Sequence, residues 1–443
     1  MKLTVREKIG FGAGDMAIAI VMMSMQLIVA YFYTDIFGLK ATDVGLLLLT
    51  VRILDAVIDP LIGVITDKTQ SRWGRYRPYL LLFAIPFGIT IFLMFITPDF
   101  SYFGKLIWAY TTYILLTLTY TFIAIPYISI IGVITSDSQE RLSANTYRFV
   151  MTKIAMFMVS IIVPVAAAKL GQGNLASGYQ MSMGIMGVLG AILCLYCFFS
   201  IKERIVHVPS RIPFLKQCRL LVNNDQWIIL GIVILLIMIG GSVRSAVAAY
   251  YAKYYLNGGD PLIPYFLTTG VAASILSMIA TGYVVKRINK LTMFRISQAT
   301  TFLFSAAMFV LVDSDTILLA FTLYFIVTFL ADMQLPVYWA SIAEAVDYGE
   351  VKNKQRVSGL AFGGILFFQK LGMGLAGGLV GFILSYAQYT PDTTQSTSSL
   401  TAVALMMTLI PGVFHLLVSI VMRKFIIDDI YYREIRKKLI KEE

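Results

Sequence analysis

The chain has 443 residues, of which 58% are hydrophobic and 14% are charged, with a formal net charge of +11. A soluble domain of this size does not need so much apolar surface for its core, so the excess must face lipid. A positive balance is also typical of nucleic-acid-binding proteins. Here, however, lysine and arginine concentrate in alternate connections between apolar segments, which indicates membrane topology instead.

Apolar segments long enough to cross about 30 Å of hydrocarbon follow one another along the whole chain. Each extends for about 20 to 28 residues, and we count about twelve. Their predicted starts lie near Phe11, Thr42, Tyr79, Lys105, Phe149, Met181, Trp227, Leu262, Leu291, Ile317, Leu360 and Leu400. The pattern predicts an all-α membrane protein with twelve transmembrane helices.

The longest connection, residues 202–225, is basic and contains two prolines. It divides the chain into two halves of six helices, residues 1–201 and 226–424, and a basic tail follows at 425–443. Transporters with this layout bind their substrate near the bilayer midplane between the halves. The excess of lysine and arginine on one side predicts that both termini are cytoplasmic, in a bacterial plasma membrane.

The second predicted helix carries charges inside an apolar stretch, VRILDAVIDPLIGVITDK. At about 100° per residue, Arg52, Asp55 and Asp59 fall on one stripe. A charge facing lipid costs at least a few kcal/mol, so the stripe must face a water-filled cavity or partner charges. Two carboxylates one turn apart either share a proton or bind a small hard cation such as Na⁺, with Thr121 as the nearest neutral ligand. Alternatively, Arg52 neutralises one aspartate in a static salt bridge.

Other polar side chains inside the apolar segments are candidates for a substrate site. Asp15 follows GFGAG in the first helix and suits bidentate hydrogen bonding to sugar hydroxyls. Lys370 in the eleventh helix either couples the cation site to the substrate site or forms an ion pair that fixes the bundle. Tyr120 and Trp339 lie beside polar candidates and present rings for the apolar face of a sugar. Four further charged residues can belong either to a binding site or to a structural ion pair. They are Lys153, Arg244, Asp332 and Glu344.

The loop DKTQSRWGRYRP follows the second helix and holds a dense group of charges. Asp67, Arg72, Arg75 and Arg77 can form charge-assisted hydrogen bonds to helix ends and to the other half. Such a network can close a gate in one state and release it in the other. The alternative is simple anchoring by positive charge on the cytoplasmic side.

Taken in order, several motifs resemble the glycoside-pentoside-hexuronide:cation symporter family, which includes the melibiose carrier. The motifs are IGFGAGDMAIAI, YFYTDIFGL, RILDAVIDPLIG, SRWGRYRP, TYTFIAIPY, the YRF around Arg148, EAVDYGE and FFQKLG. The resemblance implies the major facilitator fold. It also implies that Asp55, Asp59 and Thr121 form the cation site. Residues that belong to or border the sugar site are then Asp15, Tyr120, Arg148 and Lys370.

Two departures from the melibiose carrier matter for substrate and ion. Ile58 stands where that carrier has an asparagine between its cation-site aspartates, which removes an oxygen ligand and favours protons over Na⁺. Ala124 replaces a sugar-binding aspartate, and Ile128 replaces a nearby tryptophan, so a galactoside pocket of that kind is not preserved. The overall pattern is closer to the branch that carries xylosides or related plant glycosides.

These features together predict a secondary active transporter that carries a sugar with H⁺ or Na⁺ by alternating access. Its partners are then a small sugar, a coupling cation and the bilayer, with no cofactor and no nucleic acid. A carrier of the same fold for a nucleoside, a lipid or a drug is the nearest alternative. A membrane-embedded transferase is disfavoured, because the chain has only two histidines and no HExxH or nucleophile-elbow motif.

Overall fold

The computed structural model describes residues 2–135, 138–204, 214–355, 357, 359–391 and 393–442. These residues form helices joined by short connections. The first six are α1 (Val5–Leu27), α2 (Ala41–Lys68), α3 (Arg77–Met94), α4 (Tyr102–Ile134), α5 (Ser138–Phe157) and α6 (Leu175–Ser200). The next are α7 (Phe214–Val222), α8 (Asp225–Tyr250), α9 (Gly259–Val284), α10 (Lys290–Leu311) and α11 (Ile317–Asp332). The last are α12 (Leu335–Asn353), α13 (Gly359–Tyr386), α14 (Thr397–Met407), α15 (Leu409–Val421) and α16 (Asp429–Glu442).

Several helices continue through a turn of different geometry. A π turn at Met158–Ile162 joins α5 to the segment Val163–Leu170, and a similar turn, Tyr251–Tyr255, ends α8. In the described part of the chain, eleven stretches are long and apolar enough to cross a membrane. Helix α2 is not among these eleven because it carries more charges than they do. It is 28 residues long, which is enough to cross the membrane as the predicted twelfth helix. The predicted all-α membrane architecture is confirmed.

Some helices begin well before their apolar segment. Helix α1 begins at Val5, because Thr4 and Glu7 form a capping box in which each side chain accepts a hydrogen bond from the other residue's N–H. Helix α5 begins at Ser138, whereas we expected a start near Phe149. Hydropathy marks where a helix becomes apolar, and the cap marks where it starts, so polar first turns were missed.

The described residues group into two compact units. The first unit contains residues 1–209 together with two short segments from later in the chain, 260–268 and 389–394. The second unit contains the remainder, 210–259, 269–388 and 395–443. The predicted linker lies around the point where the first unit gives way to the second, and its residues 205–213 are outside the described residues.

In the first unit, α1 packs against α5 and α6, α2 packs against α4, and α3 packs against α4 and α6. Helices α3 and α6 approach each other closely at Gly88 and Gly187. A Cβ atom on Gly88 would lie 2.7 Å from the carbonyl oxygen of Gly187, and the reverse distance is 2.6 Å. Only glycine permits this contact, as at other close helix crossings in membranes.

A carboxylate from the end of α6 caps the start of α3. Glu203 accepts hydrogen bonds from the backbone N–H groups of Arg75, Tyr76 and Arg77 at 2.8 to 2.9 Å. Gly74 has a φ of +108°, and a Cβ atom there would lie 2.5 Å from the Glu203 carboxyl carbon. The negative charge also complements the partial positive charge of the helix start. The cap therefore ties the loop after α2 to the end of α6.

We expect Glu203→Ala to lower the melting temperature of the purified protein by about 2 °C, since a lost cap costs about 0.5–2 kcal/mol. Thermal unfolding in detergent, followed by intrinsic fluorescence, measures the shift. Glu434→Ala is the matched control, because Glu434 is exposed on α16. An equal shift in both variants would show that the cap adds nothing.

In the second unit, α8 packs against α13 and α15, and α10 packs against α11 and α15. Two membrane spans of this unit are interrupted. One span is divided into α11 and α12 after Asp332, and the other into α14 and α15 at Thr408. The sequence did not predict either interruption.

Candidate functional site

The two faces of α2 differ sharply in exposure. Ile53, Val57 and Leu61 repeat every four residues and are 50–60% exposed, as expected for side chains that contact lipid. Arg52 and Asp55 on the other face are 6% and 0% exposed. The helix therefore turns its charges into the first unit and keeps apolar side chains for the hydrocarbon, which avoids the cost of charges in lipid.

The predicted cation-site residues lie together in the first unit. The hydroxyl of Thr121 on α4 donates a hydrogen bond to Asp55 Oδ1 at 2.8 Å. Arg52 Nη1 lies 3.6 Å from Asp55 Oδ2. Asp59, one turn further along α2, is half-buried and interacts electrostatically with Arg52. The arrangement provides one carboxylate held by a hydroxyl donor and a guanidinium, with a second carboxylate nearby.

Two contacts of Arg52 were not anticipated from the sequence. Its Nη2 atom lies 3.1 Å from the Met25 sulfur on α1. The buried Tyr113 on α4 also hydrogen-bonds to Arg52. Tyr113 lies seven residues before Tyr120, which places both rings on one face of α4, and this spacing is the signal that could have identified Tyr113. The guanidinium is thus held from three helices.

A second charged pair joins α1 and α5. Arg148 Nε lies 3.0 Å from Asp15 Oδ1, and the hydroxyl of Thr152 donates a hydrogen bond to the other oxygen, Asp15 Oδ2. The Arg148 guanidinium also lies over the ring of Tyr127, whose hydroxyl donates to the carbonyl of Phe11 at 2.6 Å. Thr152 was not predicted as a site residue from the sequence. Its position four residues after Arg148, which puts both on the same face of α5, is the signal that could have identified it.

Tyr120 lies between the two charged pairs. It is buried, and it interacts electrostatically with Asp55 and Asp59 on one side and with Asp15 on the other. Arg148 is also within electrostatic reach of Tyr120. Tyr120 is therefore the residue of α4 that lies within electrostatic reach of both charged pairs.

The other predicted substrate residues belong to the second unit. Trp339 on α12 is 40% exposed and packs edge to face against Tyr338, with ring centroids 6.0 Å apart. Lys370 on α13 is half-buried. Both side chains are therefore accessible within their own unit.

The basic residues of the loop after α2 make their contacts within the first unit. Arg77 donates to the carbonyl of Phe198 at 2.7 Å, and the exposed Arg72 stacks on the ring of Trp73. The main chain at Arg75 is bonded to Glu203. The side chain of Asp67 lies outside the described residues. A gating role for this loop remains a prediction.

Comparison with known proteins gives a consistent family. The profile of the family described as MFS/sugar transport protein matches residues 10–429. The inner membrane symporter YicJ of Escherichia coli (strain K12) is 34% identical over 424 residues, which cover 96% of this chain and 92% of that protein. The isoprimeverose transporter of Lactiplantibacillus pentosus is 31% identical over 435 residues, covering 96% and 89%.

The fold also matches that of solved transporters. The crystal structure of a D-xylose-proton symporter superposes with a TM-score of 0.71 over 95% of this chain and 98% of that chain, at 13% sequence identity. An identity this low supports the fold alone. The superposition and the family match together confirm the predicted major facilitator architecture. The chain therefore belongs to the MFS/sugar transport protein family, the glycoside-pentoside-hexuronide:cation symporters, and it is a multi-pass sugar:cation symporter rather than an enzyme.

Proposed function

We propose that this symporter couples the uptake of a xyloside or related plant glycoside to a proton carried by Asp55 and Asp59. The observation that carries the proposal is the fully buried Asp55 carboxylate inside a membrane helix. It is held by the Thr121 hydroxyl at 2.8 Å and faces Arg52 at 3.6 Å. A buried carboxylate inside a membrane span is a default candidate for an ion or proton pathway.

The proposed coupling follows from the position of Tyr120. Binding of a cation neutralises the aspartates of α2, and this changes the electrostatic environment of Tyr120 and of nearby Asp15. Asp15 then accepts hydrogen bonds from sugar hydroxyls, and Arg148 donates others. Lys370 and Trp339 stay candidates for contacts to the sugar, and access to the bound sugar alternates between the two sides of the membrane. By linkage, the sugar must raise cation affinity by the same factor as the cation raises sugar affinity.

Two residues support the choice of ion and of sugar. Ile58 offers no oxygen beside Asp59, and Na⁺ requires several oxygen ligands, so a proton is favoured. Ala124 has no carboxylate for a galactoside of the melibiose type. The name of the isoprimeverose transporter, a relative that matches almost the whole chain, supports a glycoside as substrate.

We further propose that both termini are cytoplasmic, in the bacterial plasma membrane. The support is the concentration of lysine and arginine in alternate connections, beginning with Lys2, Arg6 and Lys8 before α1. The relative YicJ is named an inner membrane symporter, which agrees with this placement.

The test is sugar-triggered ion movement. Cells that express the protein receive a panel of α- and β-xylosides, galactosides, glucosides and glucuronides in weakly buffered medium, with and without Na⁺. We expect one xyloside or plant glycoside to make the medium more alkaline, independently of Na⁺. Na⁺ uptake without a pH change would overturn proton coupling, and a response only to galactosides or glucuronides would overturn the sugar class.

Exchange of Ile58 for asparagine tests the ion assignment separately. We expect Ile58→Asn to make sugar uptake respond to Na⁺, because the asparagine side chain adds an oxygen ligand beside Asp59. Uptake is measured across a series of Na⁺ concentrations. Ile58→Leu is the matched control and should stay insensitive to Na⁺; equal responses from both variants would contradict the assignment.

A further inference from the structure

The last membrane span is broken at a proline. Helix α14 ends at Met407, and α15 begins at Leu409 after Thr408, whose φ of −120° and ψ of −81° are not helical. Pro411 lies four residues after Met407 and has no N–H. The Met407 carbonyl therefore loses the donor that a continuous helix would supply. Inside a membrane such a carbonyl must find another partner.

The missing donor comes from another helix. Arg244 on α8 donates from Nε to the Met407 carbonyl at 3.3 Å, and from Nη2 to the Ser305 hydroxyl on α10 at 3.2 Å. The Arg244 residue is only 5% exposed. Its hydrogen-bond partners here are a carbonyl and a hydroxyl, and the carboxylate of Asp332 at the end of α11 attracts it electrostatically. Burial of a guanidinium inside a membrane protein is costly and calls for a specific role.

Glycines allow neighbouring helices to pack closely around the bend. A Cβ atom on Gly412 would lie 2.9 Å from the Cβ of Ser305, and one on Gly240 would lie 3.0 Å from the Cβ of Phe414. Helices α8, α10 and α15 therefore meet at close range around the break. In this packing, the Arg244 side chain extends from α8 and contacts both Met407 at the end of α14 and Ser305 on α10.

A separate set of hydrogen bonds links α15 to the other interrupted span. His415 on α15 shares a 2.7 Å hydrogen bond with the side-chain oxygen of Gln298, and the Gln298 amide donates to the carbonyl of Ala331 at 3.1 Å. Ala331 lies in the last turn of α11, just before the break that precedes α12. Because Gln298 uses its amide for Ala331, its oxygen must accept from His415. These hydrogen bonds tie α15, through Gln298 on α10, to the last turn of α11.

We propose that Arg244 is a positioning residue that replaces the helical donor lost at Pro411 and holds the bend between α14 and α15 as a hinge for the conformational step of transport. The hinge lies apart from the proposed cation and sugar residues. Hinges at a few residues that end helices are common in proteins that change conformation, and prolines are a usual cause of helix kinks. The proposal rests on the family's transport activity, and it requires that the transport rate depends on a paired Met407 carbonyl at this hinge and not on Arg244 as a ligand.

A suppression experiment tests it. Arg244→Met removes both donors, and we expect it to lower the maximal rate of uptake about tenfold, the size of one lost buried hydrogen bond, with KM changed by less than about twofold. Pro411→Ala returns an N–H to position 411. In the double variant this N–H donates a hydrogen bond to the Met407 carbonyl, so most of the lost rate should return.

The matched control is Pro86→Ala in the Arg244→Met background, because Pro86 also lies inside a membrane helix, α3, but in the first unit. This control should not restore the rate. Uptake of p-nitrophenyl-β-D-xyloside serves as the probe, at equal amounts of protein in the membrane. The proposal is overturned if Pro411→Ala restores nothing, if Pro86→Ala restores as much, or if Arg244→Met raises KM at an unchanged maximal rate.

A measurement without sugar separates this proposal from the proposed substrate. The melting temperature of the purified protein should fall in Arg244→Met and recover in the double variant with Pro411→Ala. If the wild type does not carry the xyloside, the substrate class fails, while recovery of the melting temperature still shows that Arg244 supplies the missing donor. If the double variant recovers the melting temperature but Arg244→Met already transports at the wild-type rate, Arg244 stabilises the protein and has no role in a hinge.

Discussion

Asp55→Asn should abolish concentrative sugar uptake and leave downhill sugar exchange in place. Asparagine keeps the size of the side chain and still accepts the hydrogen bond from Thr121. It cannot take up a proton or balance the charge of Arg52, 3.6 Å away. A membrane potential of 100 mV stores about 2.3 kcal/mol per charge, which supports about 50-fold accumulation by one coupled cation. Without coupling, the accumulation ratio should fall to about 1.

Accumulation of labelled sugar in energised cells, compared with counterflow in de-energised cells, measures the two activities separately. Asp99→Asn is the matched control, since Asp99 is an exposed carboxylate in the connection before α4. It should accumulate sugar as the wild type does. Normal accumulation by Asp55→Asn would refute the role of this carboxylate in coupling.

Asp15→Asn should raise KM for the sugar about 100-fold while leaving the ratio of ions to sugar unchanged. The carboxylate is held by Arg148 at 3.0 Å and by the Thr152 hydroxyl, so its orientation is fixed from α5. Loss of a hydrogen bond to a charged group costs about 1.5–3 kcal/mol, and the loss leaves Arg148 without its partner. Uptake at high sugar concentration, with simultaneous recording of ion flux, measures both quantities.

Thr152 provides a graded test of the same pair. Thr152→Val removes the hydroxyl and keeps the shape, and we expect a KM about tenfold higher. Thr152→Ser keeps the hydroxyl and should stay near the wild type. If Thr152→Val and Thr152→Ser behave alike, the hydroxyl does not orient Asp15, and if Asp15→Asn changes only the ion ratio, the residue belongs to coupling instead of sugar binding.

The architecture and the charged stripe of α2 could be predicted because both follow from the cost of polar groups in lipid. That cost fixes which segments are apolar, and it places Arg52 and Asp55 away from Ile53 and Val57. Such inferences need only the helical period and the solvent. The role of Thr121 came instead from the resemblance to the symporter family, and the structure places its hydroxyl on Asp55.

Contacts between helices were harder to predict because they depend on which helices are adjacent. Thr152 and Met25 join the charged groups only once α1 packs against its neighbours. The grouping of residues 260–268 and 389–394 with the first unit likewise arises from packing between distant parts of the chain. The break at Thr408 has a local signal in Pro411, but its partner Arg244 lies more than 160 residues away.

The most direct test of the account is proton movement that accompanies sugar flux through the purified protein in liposomes. An inward gradient of the transported glycoside should acidify the interior for the wild type, without Na⁺, and should not do so for Asp55→Asn although sugar still enters. Sugar flux through the wild type with no proton movement would contradict the central claim that the buried aspartates of α2 carry the coupling ion as a proton.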